Sequence, residues 1–307
     1  MRIATTTGDF NAYVQQPMDT WDALRMLQES GFRHIDLSMY VLKGNDDLML
    51  DDDWRENARR IRAFASSLGM DFVQAHSPGG NPLMQDDRFD TLLSSTIRSI
   101  EICGILGIPH TVVHAGHVKG ISKEEYFERN LAFYRLLFPV MEATGVSVLV
   151  ENSTKANMGD QYYVNSGADL AEFLRYADHP LLHACWDTGH ANCEGSQYDE
   201  IMALGDELHG VHINDNRGGG DEHLLPWMGT MNLDDIMHAL IDSGYKGSFT
   251  FESCSALRPA KYWQGNRRTY KADTRLAEPT LGMQKHLEAL MYEMGTHILT
   301  SYGIEAE

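Results

Sequence analysis

Cysteine is scarce. The four in 307 residues, Cys103, Cys185, Cys193 and Cys254, form no C-x-x-C pair. That excludes a disulfide scaffold and points to a reduced, cytoplasmic chain. Long apolar runs are missing too. None approaches the length of a membrane span, and the opening MRIATTTGDF has no signal-peptide core, so no membrane partner is expected. Positive charge is in deficit, with 25 basic against 44 acidic residues and a formal net charge of -19. Generic binding to nucleic acid depends on neutralising phosphates, so no nucleic-acid partner is expected. A small anionic substrate, which needs only one or two local cations, is not excluded. No linker-like or low-complexity stretch cuts the chain, and a single domain over residues 1–307 is the expectation.

What is present is an alternation of short β-branched runs with longer stretches of helical period. RIATTT (2–7), HIDLS (34–38), DFVQAHS (71–77), HTVVHAG (110–116), VSVLVEN (146–152), LLHACWD (181–187), LHGVHIND (208–215) and SFTFES (248–253) read as strands. Helices are predicted over 17–30, up to 68, 88–106, 122–144, 167–178, near 199–204, 234–243 and 279–300, several of them closed by a glycine. Ser122 with Glu125 three residues on has the form of a capping box. Eight strand–helix units in series is the count that closes an α/β (β/α)8 TIM barrel. The segment 256–275 after the eighth strand is long, basic and aromatic. It reads either as an oligomer contact or as a lid that brings cations to a substrate.

Six strand ends carry His76, His114, Glu151, Asp187, His212 and Glu252. In such barrels the C-terminal strand ends form the active-site face, and packing does not explain polar residues recurring there. Three carboxylates and one imidazole suit a divalent cation: Mn2+ first, with Co2+, Mg2+ or Zn2+ as alternatives. Such an ion polarises a carbonyl and stabilises the enediolate left by proton loss. Glu151 and Glu252 are the candidate acid and base on either side of the substrate. His190 follows Asp187 by three residues, and Asp221 and His223 follow the glycines 218–220; all three are expected in the pocket. Trp227 is a candidate floor for a sugar ring. His34, His183 and His209 sit early in strands and read as structural.

The segments HSPGGNP, VVHAG, LVENS, WDTGH, VHINDN and DEHLLPWMGTMN, in this order on successive strand ends, resemble the sugar phosphate isomerase/epimerase family of xylose isomerase-like TIM barrels. Endonuclease IV shares that superfamily. The resemblance covers nearly the whole chain. It implies a metal-dependent isomerase or epimerase in which Glu151, Asp187, His212 and Glu252 hold one metal and His190 and Arg217 contact the substrate; His76 and His114, at their strand ends, are expected to bind the substrate too, as are Asp221, His223 and Trp227. A small-molecule sugar is the implied partner, along with a homo-oligomer or a partner subunit. Ketohexose 3-epimerases carry a further glutamate six residues beyond the first metal glutamate, where this chain has Asn157. The same proton abstraction also serves a lyase or dehydratase acting on a keto-sugar or keto-glycoside. Matches to all nine zinc-binding positions of endonuclease IV (His76, His114, Glu151, Asp187, His190, His212, Asp221, His223 and Glu252) keep a zinc phosphodiesterase as a further alternative, against which the charge of -19 stands.

Overall fold

The structure, a computed structural model, describes residues 1–9, 18–41, 46–84, 88–253, 256–257 and 279–307. Eight strands form one parallel sheet: β1 (Ile3–Thr6), β2 (His34–Ser38), β3 (Asp71–His76), β4 (His110–Val112), β5 (Ser147–Glu151), β6 (Leu182–Asp187), β7 (Leu208–His212) and β8 (Phe249–Phe251). Each strand pairs with its sequence neighbour, and β1 also pairs with β8. The seam between β7 and β8 closes through a parallel bridge between Ile213 and Phe251. There Ile213 N donates to Thr250 O at 2.7 Å and Glu252 N to Ile213 O at 3.1 Å. The sheet is therefore a closed TIM barrel.

The helices are α1 (Thr20–Glu29), α2 (Asp46–Met49), α3 (Trp54–Ser67), α4 (Phe89–Leu106), α5 (Lys123–Thr144), α6 (Lys155–Met158), α7 (Gly167–Ala177), α8 (Thr188–Asn192), α9 (Tyr198–Leu204), α10 (Leu233–Asp242) and α11 (Leu281–Ser301). Each long helix lies within three residues of its predicted span. The short α2, α6 and α8 carry too few turns to show a period, and the sequence does not reveal them. Ser122 caps α5 by accepting from Glu125 N at 3.2 Å. The return half of the expected capping box is replaced by an ion pair between Glu125 and Arg129. Gly107 and Gly145 end α4 and α5 in the left-handed region, at φ 79° and 71°, where a Cβ would be strained. The basic, aromatic stretch 256–275 lies outside the described residues except for Ala256 and Leu257. No described helix is long and apolar enough to cross a membrane.

The main apolar core fills the space between the sheet and the helix ring, while Val112, Leu149 and Cys185 form a small separate cluster. Buried polar side chains are numerous around it, among them Thr6, Asp36, Gln74 and His212. At the N-terminal end, the rings of His183 and His209 stack with centroids 3.6 Å apart, and His183 Nδ1 lies 2.8 Å from Glu207 Oε2. His110 opens β4 at the same end; burial, with His209 close by, pushes it down to about 4.

A histidine whose folded pKa lies below its unfolded value of about 6.5 contributes stability that is complete above that value and is lost as pH falls through the folded pKa. The barrel should therefore lose up to about 3 kcal/mol from His110 alone between pH 6.5 and 4. Urea midpoints across that range, compared with those of His110→Asn, measure it. An identical acid sensitivity in the variant would show that the loss arises elsewhere.

Candidate active site

A cavity of about 300 Å3 opens at the C-terminal mouth of the barrel. Thr6, Ser38, His76, His114, Glu151 and Glu252 reach it from at or just beyond the ends of β1 to β5 and β8. The segments after β6 and β7 add His190, Asp221 and His223. Strand alternation explains the convergence: residues two apart share the inward face, so the last inward residues of the strands gather at or just beneath the cavity.

Glu151, Asp187, His212 and Glu252 form the floor. Each places one potential ligand atom within 4.8 Å of the other three. Asp187 and His212 are fully buried beneath the cavity, and Glu151 is nearly so. Asp187 caps α8, accepting from His190 N at 2.6 Å, and its other oxygen accepts from the Asn214 amide at 2.7 Å. Asn152 ties the ends of β5 and β6 together, accepting from Asp187 N at 2.6 Å and donating to Asp187 O at 3.0 Å. Gly189 leaves the room this needs, since a Cβ there would lie 1.7 Å from Asn214 Oδ1.

Two histidine arms flank the floor. In the first, His76 Nδ1 donates to Ser77 O at 2.9 Å, and its Nε2 lies 3.1 Å from His114 Nε2. Burial and the neighbouring His114 push His76 down to about 4, so it is neutral at pH 7. His114 Nε2 in turn lies 2.6 Å from Glu151 Oε2. Burial opposes a charge on Glu151, yet the imidazoles of His212 and His114 hold its carboxyl well below the usual range.

In the second arm, Asp221 Oδ2 lies 3.3 Å from His190 Nε2 and 3.0 Å from His223 Nε2, and accepts from the Asn157 amide at 3.0 Å. Burial works against the imidazolium of His190, but the carboxylates of Asp187 and Asp221 outweigh it and raise that group to about 10. His223 adopts φ 48°, an uncommon backbone state for a residue with a Cβ, and its Nδ1 donates to Glu252 O at 2.8 Å. Burial pushes the Glu252 carboxyl up to about 7, against the pull of His212 and His223.

The floor fits a divalent cation. Three carboxylates and one imidazole facing one point repel each other unless a positive charge or a proton stands between them. Each histidine arm is itself a three-residue donor group, His76–His114–Glu151 and His190–Asp221–His223.

The Xylose isomerase-like TIM barrel family model matches residues 24–273. The chain belongs to this family. A D-psicose 3-epimerase from Ruminiclostridium cellulolyticum is 23% identical over 261 residues, covering 80% of this chain and 82% of that protein. A probable endonuclease 4 from Methanoculleus marisnigri is 28% identical over 204 residues, covering 60% of this chain and 71% of that protein. Among solved structures, D-psicose 3-epimerase with D-tagatose from Clostridium cellulolyticum H10 shares the fold at a TM-score of 0.74 and 17% identity, over 97% of this chain and 99% of that one.

Two expected residues of this xylose isomerase-like site do not join it. Trp227 is 59% exposed and packs near His297 of α11, with ring centroids 6.1 Å apart. Its indole lies against that helix and does not line the cavity. The Arg217 side chain is 66% exposed and pairs with Glu222 at 2.7 Å; its charge is neutralised within its own loop, and it does not line the cavity. Sequence reading missed Tyr40, whose ring stands edge-on to His76 with centroids 5.1 Å apart, and Ser153, which also lines the cavity. No local pattern marks either of them. Asp36 and Gln74, below the floor, were missed as well, although each lies two residues before an inward strand-end residue, Ser38 and His76, and strand alternation could have found them.

Proposed function

We propose that this chain is a divalent-metal-dependent isomerase or epimerase of a sugar or sugar derivative, moving a proton next to a carbonyl by way of an enediolate. The observation that carries this reading is that Glu151 and Glu252 both line the cavity and share one donor ring, with imidazoles around them. Glu151, Asp187, His212 and Glu252 would hold the ion, with Mn2+ as the first choice. When bound, the ion supplies positive charge to the carbonyl oxygen and to the oxyanion it becomes.

One of the two glutamates takes the proton from carbon, and the other returns it to the opposite face. Without the ion, burial raises Glu252 to about 7 while His212 and His114 hold Glu151 low, so Glu252 is the glutamate that more readily carries a proton. Protonated His190 donates from Nε2, and neutral His76 can exchange hydrogen bonds with substrate hydroxyls. Asp221 and His223 complete that wall. The similarity to a D-psicose 3-epimerase supports a sugar as the substrate class.

The test is incubation of the metal-loaded protein with a panel of keto-sugars in D2O, read by NMR. The expected result is deuterium entering at the carbon next to the carbonyl, with or without a new epimer. Exchange accompanied by loss of water or an aglycone would make the enzyme a lyase. No exchange with any keto-sugar would sink the reading.

A second reading is a zinc phosphodiesterase, favoured by the two histidine arms that flank the floor as further donor groups. Elemental analysis separates the two readings. About one ion per chain supports the isomerase, and three zinc ions with cleavage of abasic DNA support the phosphodiesterase.

A further inference from the structure

We infer that Asp36, assisted by Gln74, is a positioning residue that holds the His212 ring with Nε2 turned down the barrel and Nδ1 turned to the carboxylate floor. What Nδ1 faces rests on the metal site proposed above; the arrangement beneath it does not.

The two nitrogens of His212 look in opposite directions. Nδ1 lies 2.5 Å from Glu151 Oε1 and 3.4 Å from Glu252 Oε2. Nε2 points down the barrel, 3.3 Å from Asp36 Oδ2 and 2.8 Å from the Gln74 amide nitrogen, which also donates to Asp36 Oδ2 at 3.2 Å. His212, Asp36 and Gln74 are all 1% exposed or less. Asp36 and Gln74 do not line the cavity, so neither touches a substrate there.

A carboxylate buried this deeply is expected to be paired. Among the described residues Asp36 has no lysine or arginine within ion-pair distance. Its one ion pair is with His212, and its Oδ1 is buried with no hydrogen-bond partner. Among the described residues its side-chain partners are the His212 imidazole and the Gln74 amide, both on Oδ2. A histidine that binds metal through one nitrogen commonly donates its other N–H to a carboxylate, which sets the tautomer and raises the basicity of the ligating nitrogen.

Gly210 supplies an independent observation. A Cβ at that position would lie 2.5 Å from Gln74 Oε1 and 2.7 Å from a Leu149 methyl. Its φ is not among the positive ones, so the requirement is for space. The chain leaves a gap of one methyl group in β7, and the Gln74 amide fills it to reach His212.

The experiment is a titration of metal-stripped protein with Mn2+ alone, counting free Mn2+ by electron paramagnetic resonance. The unmodified chain, Asp36→Asn and Gln74→Leu are compared, with melting temperatures recorded in EDTA. Asp36→Asn should weaken Mn2+ binding by about 10–100-fold, and Gln74→Leu by a smaller factor, while the metal-free melting temperature is kept. If Asp36→Asn does not fold, Gln74→Leu carries the test. An unchanged Kd in a folded variant, with only the melting temperature lowered, would make the pair structural and overturn this inference while leaving the metal site standing. No Mn2+ uptake by the unmodified chain would overturn both.

Discussion

Glu252→Gln will slow proton exchange at the substrate carbon by about 10²–10⁴-fold, the range that a positioned acid or base contributes, while leaving the barrel folded. The carboxyl stands just past β8, and its own backbone is pinned on both sides. Its N–H donates to Ile213 O at 3.1 Å and its C=O accepts from His223 at 2.8 Å. An amide of the same shape keeps those contacts and one oxygen donor for a cation, but it cannot take up a proton. The loss should therefore appear in kcat, with KM little changed and metal content kept. Rates by NMR in D2O, with metal measured on the same samples, provide the check. Full activity in Glu252→Gln would mean that the two-base scheme is wrong, and loss of the metal would move the role of Glu252 from proton transfer to ligation.

Removing the metal should abolish activity and lower the melting temperature together. The reason is the crowding of the floor. Glu151, Asp187 and Glu252 face one another with His212 inside 4.8 Å, and without a cation their negative charges are compensated only by imidazoles. At a hundredfold excess of free ion over its Kd, binding adds about 2.7 kcal/mol to the folded state. For a chain of this size that corresponds to roughly 4 °C in melting temperature. Dialysis against EDTA followed by calorimetry measures the drop, and Mn2+ added back should restore both properties. Unchanged activity and an unchanged melting curve after EDTA would remove the metal from the mechanism and leave the donor ring as a hydrogen-bonded network.

The difference between what was legible and what was not follows the range of the forces involved. The eight strands and the long helices could be read because period, caps and glycine stops are properties of a few neighbouring residues. His76, Glu151, Asp187, His212 and Glu252 could be placed on one rim because strand ends in a parallel barrel share a face. Trp227 and Arg217 could not be placed, because each direction depends on a partner distant in the chain or on the path of a loop. For Trp227 the partner is α11, and for Arg217 it is Glu222 across a turn.

The sequence by itself determined the barrel, its order of strands and the histidines and carboxylates at and beneath its mouth. Only the tertiary structure decided how those residues address one another: that β7 and β8 meet to close the ring, that His212 turns Nδ1 up and Nε2 down, and that Asp36 and Gln74 stand beneath it. These are contacts between strands far apart in the chain. Hydrogen-bond and ion-pair energies decide them at separations of a few ångströms, and such distances exist only once the barrel has closed.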